Sequence, residues 1–344
     1  MDPVSQGALG AALSQSTVRR EKLAAVAWFG ALAGMAPDLD IFIQSPTDPL
    51  LFLVFHRQFT HALVFIPVGA LLVAWPLYRL FRHPLTWRDA YLASLAGYAT
   101  HGLLDACTTY GTQLFWPFSD ARIAWNNVSV IDPLFTLPLL ALAILAAHHD
   151  KPRLALIGLA WALFYLGIGE VQHQRAIGAA QLMIAERGHT PTRLSVKPGF
   201  ANLLLWKVVY EQRGKYYVDA VRVAGGACIY PGEHVTKLDL PRHFPDLDPN
   251  SQQARDVERF RWFSADYLAI AKDGTIIDMR YSIVPNQIDA LWGIRLLRHA
   301  EVREHVEWWS NRDTRSDQRD KLLRMLAGQN CKALIAPGRT PAAG

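Results

Sequence analysis

The sequence predicts a helical membrane domain of about five spans, followed by a small soluble α+β domain. Three observations predict it. Leu, Ala, Trp, Phe and Val dominate residues 23–172, whereas most of the Arg, Asp, Glu and Lys fall in 173–344. Five stretches in the first half approach the roughly 20 apolar residues that a bilayer crossing needs. Lys and Arg crowd the loops on one side of those stretches only, the pattern of a multi-span protein. A chain of 344 residues has room for two domains, expected at 1–172 and 173–344.

The predicted spans are roughly 22–43, 60–81, 89–107, 131–148 and 153–171. Several contain Pro or Gly, which membrane helices tolerate better than soluble ones. Segment 3–15 is too short to cross alone and is expected as an interfacial or re-entrant helix. Arg19, Arg20 and Lys22, then Arg79, Arg82 and Arg88, then Lys151 and Arg153 mark one side. The opposite loops carry only Arg57 and Arg122, so the basic side is expected to be cytoplasmic. An odd number of spans then puts the second half outside the cytoplasm, in the periplasm if the cell has two membranes.

In that second half, 173–190 is expected to continue as a helix. Asn202–Tyr210 and Tyr216–Val223 read as strands joined at Arg213-Gly214-Lys215. Phe260–Ile270 and Thr275–Tyr281 read as a second hairpin turning at Asp273-Gly274. Pro241–Asn250 is a connector, 312–327 a charged amphipathic helix, and Pro337–Gly344 a frayed tail. Cys228 and Cys331 could pair if this half lies outside the cytoplasm. His234, His243 and His299 are scattered and are expected at the surface, as loop residues His148 and His149 are on the cytoplasmic side.

Several function classes receive no support. Net charge is only +5 and no Lys/Arg run is interleaved with aromatics, which argues against nucleic-acid binding. The three cysteines form no CxxC pair and suggest no zinc ribbon. The apolar start, 1–16, has its basic residues after it, unlike a cleavable signal peptide.

The informative residues are ionisable groups where the spans meet one face. Asp38 and Asp40 end the first span, His56 and His61 open the second, His101 and Asp105 end the third, and Asp132 opens the fourth. Charged groups in spans are costly and usually mark function. His101 and Asp105 are four apart and share a helix face. Imidazole plus carboxylate suits zinc, manganese or iron, as one ion or as two. A water activated by such an ion would attack an ester, with a free carboxylate as general base. Ordinary roles compete. Asp132 before Pro133 also reads as a helix N-cap, Asp38 as a turn former, His56 as an interfacial histidine, and His61 and His101 as hydrogen-bonded core residues. Thr109 and Ser119 read as structural.

Taken together, Pro37-Asp38-Leu39-Asp40, His56-Arg57-Gln58-Phe59-Thr60-His61, His101-Gly102-Leu103-Leu104-Asp105 and Trp116-Pro117-Phe118-Ser119 resemble the YdjM-like family of predicted inner-membrane metal-dependent hydrolases. The resemblance covers about 1–170. It implies membrane embedding, a divalent metal (zinc above all) and a hydrolase with a lipid or phosphoester substrate, since the family has been linked to zinc-dependent phospholipase C-type folds. By position it implies Asp38, Asp40, His56, His61, His101 and Asp105 as ligands, with Asp38 and Asp105 as the catalytic carboxylates. Many members carry an acidic residue followed by Thr-His near the N-terminus. Here Asp2 and Ser5-Gln6 stand instead, so an imidazole is missing. Two other functions stay open: a transporter, and a sensor or scaffold with a structural metal. The sequence does not set the oligomeric state.

Overall fold

The computed structural model describes residues 1–17, 22–81, 85–311 and 316–334. The chain packs as two compact units. The first comprises Met1–Ile43, Phe55–Glu170 and Phe200–Asn202, and the second Gln44–Val54, Val171–Gly199 and Leu203–Gly344.

The first unit is helical. Helix α1 is Pro3–Thr17, and α2 (Leu23–Met35) tightens into a 3-10 segment over Ala36–Phe42. A short helix α3 (Leu51–Phe55) lies almost wholly in the second unit. Two 3-10 turns, Phe59–His61 and Leu63–Phe65, lead into α4 (Ile66–Leu80). Helix α5 (Trp87–Ala106) starts at Thr86, whose hydroxyl accepts from Asp89 N. Helix α6 (Pro133–His149) starts at Asp132, and α7 runs from Pro152 to Glu186.

Three helices among the described residues are long and apolar enough to cross a membrane: Leu23–Phe42, Leu63–Leu80 and Pro152–Glu186. The expectation of five spans is corrected to that extent. The predicted span at 89–107 is helix α5, but Ser94, Thr100, His101 and Asp105 give it a buried polar face. The one at 131–148 is α6, an apolar helix of only 17 residues. The one at 153–171 is the first part of a 35-residue helix.

Helix α1 also departs from expectation. Ser5, Gln6, Gly7, Ala8, Gly10, Ala11, Ala12, Ser14 and Gln15 are all buried, so it is a core element and not an interfacial one. Small residues explain why. A Cβ on Gly10 would lie 2.4 Å from the Gly30 carbonyl oxygen, and a Cβ on Gly97 2.1 Å from the same atom. Glycine therefore lets α1, α2 and α5 touch backbone to backbone. The Ser14 hydroxyl, which donates to Ala93 O at 2.7 Å, ties α1 to α5.

The second unit holds two antiparallel sheets. Strands β1 (Arg193–Pro198), β2 (Leu205–Gln212), β3 (Lys215–Val223) and β4 (Ala227–Thr236) form a meander that β9 (Lys332–Ala333) extends. The hairpin predicted around Arg213-Gly214 is present as β2–β3. Ala176, Ala180 and Met183 of α7 pack on Trp206, Val208 and Val221 of this sheet. After a short helix α8 (Leu240–His243) comes α9 (Gln252–Phe263). The second sheet is β5 (Leu268–Ile270), β6 (Ile276–Asp278), β7 (Trp292–Arg295) and β8 (Glu307–Ser310). The predicted strand 260–270 is thus mostly wrong: its first residues end α9, which Ser251 caps by accepting from Ala254 N. Helix α10 is Ser316–Leu326, whereas 312–315 and the tail Pro337–Gly344 lie outside the described residues.

Cys228 and Cys331 form a disulfide with Cα atoms 5.6 Å apart, closing a separation of 103 residues. Two lysines of the first sheet are buried. Lys207 Nζ donates to Ser282 Oγ, Pro285 O and Gln287 O at 2.8, 3.2 and 3.1 Å. Burial pushes both Lys197 and Lys207 down to about 7.

Candidate metal centre

Three pieces of the first unit supply the centre. Pro37 opens the 3-10 segment at the end of α2, and the tighter winding carries Asp38 and Asp40 off the helix axis. The segment 56–61 precedes α4 and carries His56, Arg57, Thr60 and His61. The last turn of α5 carries His101 and Asp105.

Four donor atoms converge. His61 Nε2 and His101 Nε2 are 2.9 Å apart. Asp38 Oδ1 lies 3.6 Å from the first and 3.4 Å from the second. Asp105 Oδ2 lies 3.3 and 3.8 Å from the same two nitrogens. Ligands at about 2.0–2.1 Å from a tetrahedral ion lie roughly 3.4 Å from one another, so these edges fit one such ion. His61, His101 and Asp105 are buried, and the Asp38 side chain keeps 24% of its exposure.

The outer partners fix which atoms face inward. His101 Nδ1 is 2.5 Å from Gly34 O, an acceptor, so Nδ1 carries the proton. His61 Nδ1 is 3.0 Å from Thr60 Oγ1 and 3.3 Å from Asp40 Oδ2. The Thr60 hydroxyl spends its own proton on Asp40 Oδ2 at 2.7 Å. His61 Nδ1 is therefore the donor there, and both Nε2 atoms turn lone pairs toward the same point. Two lone pairs at that separation repel unless a cation lies between them, and two carboxylate oxygens add to the demand.

Asp40 does not join the four. Its Oδ1 is 2.7 Å from His56 Nδ1, while its Oδ2 accepts from Arg57 N at 3.0 Å, from Thr60 and from His61. It acts as the carboxylate behind a histidine, a common outer partner of metal ligands. His56 follows it outward, with its side chain 26% exposed. Asp132 is the N-cap of α6, accepting from Leu134 N and Phe135 N and from the Tyr165 hydroxyl.

Two side chains beside the four were not among the expected site residues. Arg57 reads in the sequence only as a loop charge. It is buried, with its Nε 3.0 Å from Asp105 Oδ2, Nη1 donating to Thr108 Oγ1 at 3.0 Å and the guanidinium over the Tyr110 ring. Its backbone is left-handed at φ 65°, a strained choice for arginine that aims its N–H at Asp40. Gln6 of α1 is buried, and its Nε2 donates to Asp105 Oδ1 at 2.9 Å. The Met1 amine contacts the same oxygen.

In the second unit Asp48, Asp256 and His305 also bring donor atoms together. There Arg259 forks onto both Asp48 oxygens at 3.0 and 2.9 Å and reaches Asp256 Oδ1 at 2.9 Å. A guanidinium already supplies the positive charge, and the group ties segment 44–54 to α9.

Comparison with known proteins fits this picture. A family model described as YdjM inner membrane protein matches residues 1–176. An uncharacterized Bacillus subtilis protein, YfhP, is 30% identical over 115 residues, which are 33% of this chain and 35% of that protein. The match thus spans about a third of that relative's length. No solved structure matches.

Proposed function

From the premise that this chain belongs to the YdjM inner membrane protein family, we propose that it is a membrane-bound metal-dependent hydrolase acting on an ester or phosphoester, with a lipid as the favoured substrate. The observation that carries this reading is the convergence of two imidazole lone pairs and two carboxylate oxygens at tetrahedral spacing. A shared proton would link only two of these atoms, whereas an ion uses all four.

Asp38, His61, His101 and Asp105 would hold one divalent ion, zinc by donor set, with manganese or iron as alternatives. Asp40 is saturated by four donors, which argues against its serving a second ion. The one ion would supply Lewis acidity; because four protein donors already fill a tetrahedral shell, it would supply an acidified water only by taking a fifth ligand or by releasing the part-exposed Asp38.

The chain's own residues divide the remaining work. Asp38 is the one donor with exposure, so substrate would enter on its side, and its second oxygen is the candidate to take a proton from the attacking water. Asp105 is held by Gln6, Arg57 and the Met1 amine, which suits a fixed ligand better than a proton carrier. The Cys228–Cys331 disulfide favours placing the second unit outside the cytoplasm.

The test is elemental analysis of detergent-purified protein with turnover on phospholipids. One ion per chain is expected, lost in both H61A and H101A, and D38N should keep the ion and lose turnover. Wild-type protein without a divalent ion would end the reading. A structural ion is the second reading, favoured by the burial of three of the four donors. Cobalt-loaded protein whose visible spectrum ignores added anions would support it, because no exchangeable position would then exist.

A further inference from the structure

The missing imidazole at position 6 leaves a question that the structure answers in an unexpected way. Gln6 reaches the centre although it supplies no imidazole. It is buried, its Nε2 lies 2.9 Å from Asp105 Oδ1 and 3.4 Å from His101 O, and its Oε1 is a buried acceptor without a protein partner among the described residues.

We propose that Gln6 is a positioning residue for Asp105 in the metal centre, which rests on the metal reading above. The reasoning starts from the carboxylate. Asp105 has one oxygen facing the two imidazoles and one facing α1. A carboxylate on the last turn of a helix can rotate about χ2, a broad torsion. The amide donor on Oδ1, beside the Met1 amine on that oxygen and Arg57 on Oδ2, holds that rotation so that Oδ2 stays toward His61 and His101.

The donor is itself well anchored. α1 is locked by backbone contact of Gly10 with Gly30 and Gly34 of α2, and the main chain at Gln6 is part of it: a Cβ on Gly34 would meet Gln6 O at 2.7 Å. Gln6 therefore has little room to retreat. The orphaned Oε1 adds a second, independent sign. A buried acceptor without a donor costs about 1–3 kcal/mol, and a site that takes up an ion with its hydration water offers such a donor.

The closing experiment compares three full-length, detergent-purified proteins: wild type, Gln6→Ala and Gln15→Ala. Gln15 is the control, since it too is a buried glutamine of α1 whose Oε1 has no partner among the described residues, and its Nε2 donates to Ala143 O, away from the centre. Zinc affinity is read by chelator competition, and ligand geometry by the visible spectrum of the cobalt-loaded protein. Gln6→Ala is expected to weaken zinc about 10–100-fold, as loss of an outer partner does, and to shift the cobalt bands. Gln15→Ala should leave both unchanged while lowering thermal stability. Equal affinity and spectrum in wild type and Gln6→Ala would overturn this assignment alone, as would equal losses in both variants. Wild-type protein that binds no zinc would overturn it together with the metal reading.

Discussion

Replacing Asp40 by Asn separates an outer carboxylate from a ligand. Asp40 Oδ2 takes three contacts, from Arg57 N at 3.0 Å, Thr60 Oγ1 at 2.7 Å and His61 Nδ1 at 3.3 Å, and Oδ1 meets His56 Nδ1 at 2.7 Å. An amide keeps the shape but loses the charge, and it must turn an N–H donor toward one of these groups. If its oxygen stays on Arg57 N and Thr60, its nitrogen faces His56, which can adapt because it is part exposed. His61 then loses the anion behind its Nδ1–H, and its Nε2 becomes a weaker base. Zinc affinity is expected to fall about 10–100-fold, the range for outer partners, which is roughly 1.4–2.7 kcal/mol at 1.36 kcal/mol per decade. Chelator competition on purified protein measures it, with H61A and H101A beside it. Loss of a true ligand should cost more than either bound of that range. If D40N loses the ion as completely as H101A, Asp40 is a ligand and the division between inner and outer residues is wrong. If D40N binds like wild type, the carboxylate does not tune His61 at all.

Other outcomes follow from the same structure. Gly97→Ala drives a methyl into the Gly30 carbonyl, which cannot rotate away, so thermal stability should fall by about 1–3 kcal/mol or more and zinc binding with it; an unchanged melting curve would contradict the backbone contact. Lys207 is pushed down to about 7 by burial, against about 10.4 in an unfolded chain. Between those values the unfolded chain holds the extra proton, so stability should rise with pH from 7 to 10, and K207M should flatten that slope. Removing the Cys228–Cys331 bridge, which closes 103 residues, should cost on the order of 3–5 kcal/mol. The melting temperature with and without reductant reads this, and the bridge should be found already formed in protein alkylated directly in cells.

The centre was legible where chemistry conflicts with surroundings. His101 and Asp105 stand in an apolar run, and such groups need a reason to be there. Arg57 lacked that contrast, because in a loop it counts toward topology and nothing in the sequence announces a left-handed backbone that buries it. Gln6 was legible only as a departure from a pattern, since a neutral amide carries no charge to flag. The spans were read from apolar content alone, which misses that α5 turns Ser94, Thr100 and His101 inward and so needs less hydropathy than a lipid-facing helix. The misread strand at 260–270 has the same kind of cause. The turn at Asp273-Gly274 suggested a hairpin whose first strand began at Phe260, yet Ala254, Val257, Phe260 and Phe263 recur every three residues on the buried face of a helix.

The wide spacing of the centre along the chain has a consequence for biosynthesis. The contact from Gln6 to Asp105 bridges 99 residues, and the two imidazoles belong to different helices. No shorter nascent fragment contains the whole set, so on the metal reading an ion would not be captured until α5 has emerged and packed against α1 and α2. Because metal affinity is then folding free energy, uptake would act as a late checkpoint on insertion: a chain with a misplaced helix has nothing to grip.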